Sequence, residues 1–294
     1  MNISIIIPAK NESQGLLLLL PDLVKIKKVS EIIVVNDGST DNTEPVCLEN
    51  NINVVNHPYS KGNGAAIKTG VRNAKGDVLI FMDADGQHRV EDVKKLIDEY
   101  NSGHYDMIVG ARDSKSQASL TRLFGNGLYN RIASYMTGHK IEDLTSGLRI
   151  VNAKKFKQFL YLLPNGFSYP TTITMAFFRA GFSVKYMPIF TPKRKGKSHI
   201  NLLKDGSRFF LIIFKIGTLY SPLKLFFPAS LLTFIMGLGY YIYTYFTDGR
   251  FTNMGVLLFS TSIIIFLMGL ISEQITNLMY RSEEDESNSE QNMQ

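Results

Sequence analysis

Two stretches near the end of the chain limit most firmly what it can fold into. Residues 225–246 (LFFPASLLTFIMGLGYYIYTYF) and 251–272 (FTNMGVLLFSTSIIIFLMGLIS) each run twenty-two residues without a formal charge. At about 1.5 Å per residue, either run as a helix crosses a hydrocarbon core of about 30 Å. A buried helical hairpin in a soluble domain is the competing reading. Tyr240, Tyr241, Tyr243 and Tyr245 band one end of the first run like an interfacial belt, which favours two transmembrane helices over 225–246 and 251–272. Pro228 falls near the first turn, where a helix tolerates it. The short loop offers only Arg250, whereas Lys204, Arg208, Lys215 and Lys224 precede the first span. The positive-inside rule then puts the large N-terminal domain and the tail in the cytoplasm. Residues 201–224 interleave apolar positions with Lys204, Arg208 and Lys215 at helical spacing, as an amphipathic helix lying along the membrane surface would.

Charge is distributed in keeping with that picture. Residues 281–294 carry Arg281 against Glu283, Glu284, Asp285, Glu286 and Glu290, a net of −4, so the other residues carry +10 of the chain's overall +6. The acidic end reads as a disordered tail. Lys193, Arg194, Lys195, Lys197, His199, Lys204 and Arg208 crowd just before the apolar third. That placement suits an anionic membrane leaflet; no aromatic-basic interleaving or motif suggests nucleic acid. The single cysteine, Cys47, has no partner in the chain for a disulfide, which favours a reducing compartment. The N-terminal MNISIIIPAK meets Pro8 and Lys10 too soon for a secretory signal and reads as a first strand. Nothing in the sequence specifies an oligomeric state.

The first 200 residues read as one α/β domain. Apolar strands are expected at 3–9, 31–37, 52–57, 77–83 and 105–110, with helices at about 12–27, 41–50, 63–74 and 90–102. Alternation of this kind implies a mostly parallel sheet covered by helices on both faces. Residues 111–200 are less regular, with helices near 117–137, 152–162 and 169–180 and a strand at 182–190.

In an open parallel sheet, ligands bind beyond the carboxyl ends of the strands. Three strand ends are polar: PAKNE (8–12), NDGSTDN (36–42) and DADGQH (83–88). Asp37 can accept hydrogen bonds from a base or ribose, while Asp41 suits a helix cap. Asp83 and Asp85, on alternate positions after the run 78–82, offer oxygen ligands for a hard divalent ion, Mg2+ or Mn2+, that keeps open positions for phosphates. One Cys and five scattered His argue against zinc.

Taken together, PAKNE, VVNDGSTDNT and MDADGQH resemble the inverting nucleotide-sugar transferases of glycosyltransferase family 2, which have the GT-A fold. The resemblance continues through GARD (110–113), DLTSGLR (143–149) and KRKGKSH (193–199) into the paired C-terminal spans. Within the family it is most similar to the polyprenyl- and dolichol-phosphate sugar synthases typified by dolichol-phosphate mannose synthase. It implies a nucleotide site at Pro8, Ala9, Glu12 and Asp37. Asp83, Ala84 and Asp85 are implied to meet the diphosphate and metal, with Gln87 as a further metal ligand. Arg112, Arg122 and Asn126 are implied to bind an acceptor phosphate, and Arg194, Lys197 and Ser198 to close over the donor. The chain departs from the family pattern at Gly86, where a bulkier residue is usual, and it lacks the Trp of the processive polysaccharide synthases.

The expected activity is transfer of a sugar from a UDP- or GDP-sugar to a polyprenyl or dolichyl phosphate at the cytoplasmic membrane face. Such an acceptor is already a nucleophile near neutral pH, since the second phosphate pKa lies near 6, and it needs no general base. Transfer to a hydroxyl of a lipid-linked glycan or surface polysaccharide is the alternative; it needs a base, for which Asp143 is the candidate. A third reading is an inactive nucleotide-sugar-binding scaffold.

Overall fold

The structure is a computed structural model. It describes residues 1–112, 120–166, 169–190, 214 and 217–291, with side chains at 120–126 and 279–291 left aside. The chain divides into two compact units, Met1–Ser198 and His199–Gln294.

In the first unit, β1 (Ile3–Ala9), β2 (Glu31–Asn36), β3 (Asn53–Asn56), β4 (Val78–Phe81), β5 (Met107–Arg112), β6 (Arg149–Asn152) and β7 (Val184–Ile189) form one sheet in the order β3-β2-β1-β4-β6-β5-β7. Helices α1 (Ser13–Leu23), α2 (Thr43–Glu49), α3 (Asn63–Asn73) and α4 (Val90–Tyr100) follow the first four strands. Then come α5 (Leu120–Thr137), α6 (Ala153–Lys157) and α7 (Tyr169–Arg179). β1 and β4 are buried almost throughout, which is why their sequences are continuous apolar runs instead of alternating ones. One core cluster joins Ile5, Ile7, Leu16, Leu20, Ile80, Leu96, Ile108 and Ile150, tying β1, β4, β5 and β6 to α1 and α4.

The strand missing from the sequence reading is β6. It runs antiparallel between β4 and β5, pairing Phe81 with Arg149 and Val109 with Arg149, whereas every other pairing is parallel. Its four residues follow an irregular loop and are too short to carry a period of their own. The reversal has a consequence for function. Parallel strands bring their C-terminal ends to one rim, and the antiparallel strand brings its preceding loop, residues 143–148, to the same rim.

The second unit holds α8 (Pro222–Asp248) and α9 (Asn253–Gln291). Both are long and apolar enough to cross a membrane, α9 over Asn253–Leu278. α8 overruns the expected span 225–246 at both ends, whereas α9 starts two residues inside the expected 251–272 and runs well past its end. Pro222, not Pro228, occupies the first turn of α8, and Pro228 lies inside the helix. The two helices meet along small residues at sevenfold spacing: Ser230, Gly237 and Thr244 on α8, and Gly255, Ser262, Gly269 and Thr276 on α9, all buried. Ser262 Oγ donates to Ser230 O at 2.8 Å in this seam. Close backbone approach through small side chains is the usual way helices associate where lipid removes the hydrophobic driving force. Large apolar side chains such as Leu232, Ile235, Ile263 and Ile271 point outward.

The tail expected to be disordered is instead helical to Gln291. No Gly or Pro follows Gly269, and the segment is rich in Glu and Gln, which favour helix. The amphipathic segment 201–224 falls mostly outside the described residues.

Candidate active site

The β1 and β2 ends are stitched to each other before they meet any ligand. Asn11 adopts a left-handed conformation (φ 56°), which lets its Oδ1 accept from Thr40 N at 2.8 Å while its own N–H donates to Ser39 Oγ at 2.9 Å. Asp41 accepts from Ser13 N at 3.1 Å and from Thr43 N at 3.1 Å, so it anchors the starts of both α1 and α2. Glu12 N donates to Thr43 Oγ1. Together Asn11, Glu12, Ser13, Gln14, Thr40 and Asp41 line a cavity of about 450 Å³ on this edge.

Asp37 is held by its own chain. The side chain is buried and its two oxygens accept from His57 Nδ1 (2.7 Å), Ser60 Oγ (2.8 Å), Lys61 N (2.8 Å) and Gly62 N (2.9 Å). It therefore fixes the loop before α3 through four donors from its own chain. Burial alone would raise its pKa, but the His57 imidazole, the Lys61 and Gly62 N–H groups and the Ser60 hydroxyl outweigh this and bring it down to about 2. A depressed carboxylate pKa stabilises the fold above the unfolded value of about 3.9, and that contribution fades as pH falls toward about 2. Asp37→Asn is expected to cost about 2 kcal/mol at neutral pH by this linkage. In urea unfolding, the gap to wild type should narrow between about pH 4 and pH 2. A gap independent of pH would assign the loss to packing.

After β4, the chain turns through Asp83, Ala84, Asp85, Gly86, Gln87 and His88. Two glycines admit this turn to its neighbours. A Cβ on Gly15, in the first turn of α1, would stand 2.1 Å from Ala84 O, and a Cβ on Gly147 would stand 2.3 Å from Asp83 Oδ2. The Asp83 carboxylate thus rests against the loop that precedes β6. His88, itself buried, holds Nε2 3.4 Å from Asp83 Oδ2, and Asp85 Oδ1 accepts from Gln87 N at 3.1 Å. Withdrawal from water would raise the Asp83 pKa; His88, Arg112 and Arg149 outweigh it and hold the carboxyl below its ordinary range.

Arg112, at the end of β5, makes a bidentate pair with Asp143: Nε to Oδ2 at 2.8 Å and Nη2 to Oδ1 at 3.0 Å. Its Nη2 also donates to Thr145 Oγ1, and its backbone N–H donates to Asp143 Oδ2. Thr145 N donates to Asp143 Oδ1 as well. Burial works against the Asp143 charge, but Arg112 and the backbone donors keep its pKa lowered. Asp143, Asp83 and Asp85 in turn raise the Arg112 pKa against burial, so the guanidinium lies within the field of all three carboxylates. A general base needs an open lone pair and a pKa near the working pH. Asp143, paired with Arg112 and Thr145 and held below its ordinary pKa range, is poorly placed for that role.

Among the described residues no three His, Cys, Asp or Glu side chains converge on one metal position. The donors present fit a hard divalent ion nonetheless. Asp83 is 44% exposed at the rim, and Asp85 and Gln87 follow it in the same turn, both half-buried. Such ions bind through one or two carboxylates and fill the remaining positions with phosphate oxygens and water.

Pro8, Ala9 and Ala84 lie in or beside the strand ends as expected, with Ala9 and Ala84 buried. Arg122 and Asn126 fall on α5, with side chains outside those described, and Arg194, Lys197 and Ser198 lie outside the described residues altogether. Sequence reasoning gave no role to His88, Thr145, Gly147 or Arg149. The legible signal was an arginine opening an apolar strand, Arg149 in DLTSGLRIV, where a buried charge must have a purpose.

The model of the glycosyl transferase family 2 matches residues 4–160, and that of the GtrB C-terminal hairpin matches residues 221–278. Glycosyltransferase AglJ of Haloferax volcanii is 25% identical over 291 residues, 94% of this chain and 94% of that protein. The dolichyl-phosphate beta-glucosyltransferase of Saccharomyces cerevisiae is 27% identical over 219 residues, covering 64% of this chain and 66% of the yeast protein. Glucosyl-3-phosphoglycerate synthase from Mycobacterium tuberculosis, crystallised with Mn2+ and UDP-glucose, shares the fold with a TM-score of 0.59 at 19% identity, over 74% of this chain and 78% of that one. With the matched model spanning more than half of the chain, and with its strand ends gathered as described, the protein belongs to glycosyltransferase family 2.

Proposed function

We propose that this enzyme transfers a sugar, with inversion, from a UDP- or GDP-sugar to a polyprenyl or dolichyl phosphate at the cytoplasmic face of a membrane. The observation that carries the reading is the state of Asp143. Asp143, the base candidate of the hydroxyl-acceptor alternative, is paired with Arg112 and Thr145, which supports an acceptor that arrives already ionised. The two apolar helices, the hairpin match and the yeast relative named for dolichyl phosphate agree with a lipid acceptor.

In this reading Pro8, Ala9 and Glu12 border the nucleotide, and Asp83, Asp85 and Gln87 hold Mg2+ or Mn2+ with the donor diphosphate. The ion, when bound, supplies neutralisation of the charge that builds on the leaving diphosphate. Arg112 places a fixed positive charge beside the same rim and screens an anionic acceptor from an anionic donor. Arg122 and Asn126 are the proposed acceptor-phosphate contacts, and Arg194, Lys197 and Ser198 the proposed cover over the donor phosphates.

Membranes containing the protein, given a panel of UDP- and GDP-sugars with dolichyl and undecaprenyl phosphates, are expected to form an acid-labile product extractable into organic solvent. A water-soluble or polymeric product would reject the reading in favour of a hydroxyl acceptor.

A further inference from the structure

Arg149 is fully buried, yet among the described residues it hydrogen-bonds only to neutral oxygens. Its Nη1 donates to Pro170 O and Thr174 Oγ1, both at 3.1 Å, and its Nη2 to Ser146 O at 2.6 Å. Its Nε has no hydrogen-bond partner, and the guanidinium lies 5.7 Å from the Tyr169 ring centroid. A buried cation without a hydrogen-bonded carboxylate is costly, and an apolar side chain would fill the same volume without that cost. Its position gives a reason for the charge. Arg149 pairs with Phe81, two residues before Asp83. The carbonyl it grips, Ser146 O, adjoins Gly147, against which the Asp83 carboxylate rests. The guanidinium therefore sits directly behind the peptide that supports the rim carboxylate, and Asp143 and Asp83 are the carboxylates whose fields reach it.

We propose that Arg149 is the fixed counter-charge of the Asp83–Asp85 rim: it weakens binding of a free divalent ion and strengthens binding of the ion together with a diphosphate. This rests on the metal reading above. Asp83, Asp85 and Asp143 carry three negative charges against two positive ones on Arg112 and Arg149. The rim is thus only singly negative when empty, and singly positive once a divalent ion is added. Without Arg149 it would be doubly negative when empty and neutral when loaded, a better trap for a bare cation and a poorer one for a diphosphate. Arg149 touches no reacting atom; it is a positioning residue acting through charge.

The test uses the purified full chain. Free Mn2+ is titrated by electron paramagnetic resonance, then UDP and GDP are titrated at saturating Mn2+. In Arg149→Met, Mn2+ alone is expected to bind roughly threefold to tenfold tighter, while the nucleoside diphosphate that wild type binds weakens by about tenfold. Arg149→Lys keeps the charge but loses the hydrogen-bond geometry, so both constants are expected to stay within about twofold of wild type. Should Arg149→Met not fold, Arg149→Gln, which keeps two N–H donors, carries the same expectation. Wild type that binds Mn2+, with both constants unchanged or weakened in parallel in Arg149→Met, would overturn the inference alone. So would Arg149→Lys behaving as Arg149→Met does. Wild type that binds no Mn2+ would overturn the metal reading and this inference with it.

Discussion

Asp85→Asn is expected to lower sugar transfer by about a hundredfold to a thousandfold, the scale seen when one electrostatic contact to developing charge is removed. Thermal stability should hardly change. The substitution is nearly isosteric, and an asparagine Oδ1 can still accept the Gln87 N–H that Asp85 Oδ1 accepts at 3.1 Å. Asp85 is half-buried at the rim and belongs to no core cluster. What is lost is one of the two carboxylates of the turn after β4, where the proposed divalent ion and donor diphosphate would meet. Transfer of labelled sugar into the organic phase, together with a melting curve of the same sample, checks both halves. A variant that keeps more than about a tenth of wild-type turnover would remove Asp85 from the metal set.

Arg112→Ala is expected to destabilise the first unit by about 3–5 kcal/mol, because it leaves the Asp143 carboxylate buried without its bidentate partner. Asp143 is 7% exposed and Arg112 29% exposed at the side chain, so solvent cannot replace what the guanidinium gave. Arg112→Lys keeps the charge but not the fork geometry, and intermediate stability is expected. The paired variant Arg112→Leu with Asp143→Leu removes both charges together and should recover much of the stability, since a buried ion pair is close to neutral against apolar replacement. It should not recover activity, because the rim would still lack the Arg112 charge beside Asp83 and Asp85. Denaturant unfolding and transfer assays on the three variants separate the two roles. Equal stability of Arg112→Ala and the double variant would show that the pair is not coupled.

This coupling also changes what a mutation at Asp143 means. Read from the sequence, Asp143→Ala separates a lipid-phosphate acceptor, for which it would be mild, from a hydroxyl acceptor. In the folded protein the same substitution strands Arg112, so Asp143→Asn, which keeps the shape and one acceptor oxygen, is the cleaner comparison.

The sheet was legible because its strands are buried on both faces. ISIIIPA and DVLIFMD read as strands without any alternation, and the polar residues that end them mark the rim. The pair Asp83 and Asp85 was legible for the same reason. What the sequence could not show was reversal of direction: RIVN is four residues, and nothing local says that it enters the sheet antiparallel between β4 and β5. Missing that strand meant missing that DLTSG returns to the rim, and with it Gly147, Arg149 and the locking of Asp143. Asp37 is a different case. A carboxylate at a strand end looks the same in sequence whether it waits for a ligand or collects His57, Ser60, Lys61 and Gly62 from twenty and more residues away. Only the close return of that loop decides between them.

The most direct measurement compares a polyprenyl phosphate with the matching polyprenol as acceptors, using wild-type protein, one nucleotide-sugar donor and Mg2+. Glycosylation of the phosphate alone is the result expected where Asp143 is held by Arg112 and the acceptor arrives already ionised. Glycosylation of the alcohol at a comparable rate would require a base that the Asp143–Arg112 pair does not supply, and would contradict the proposed reaction.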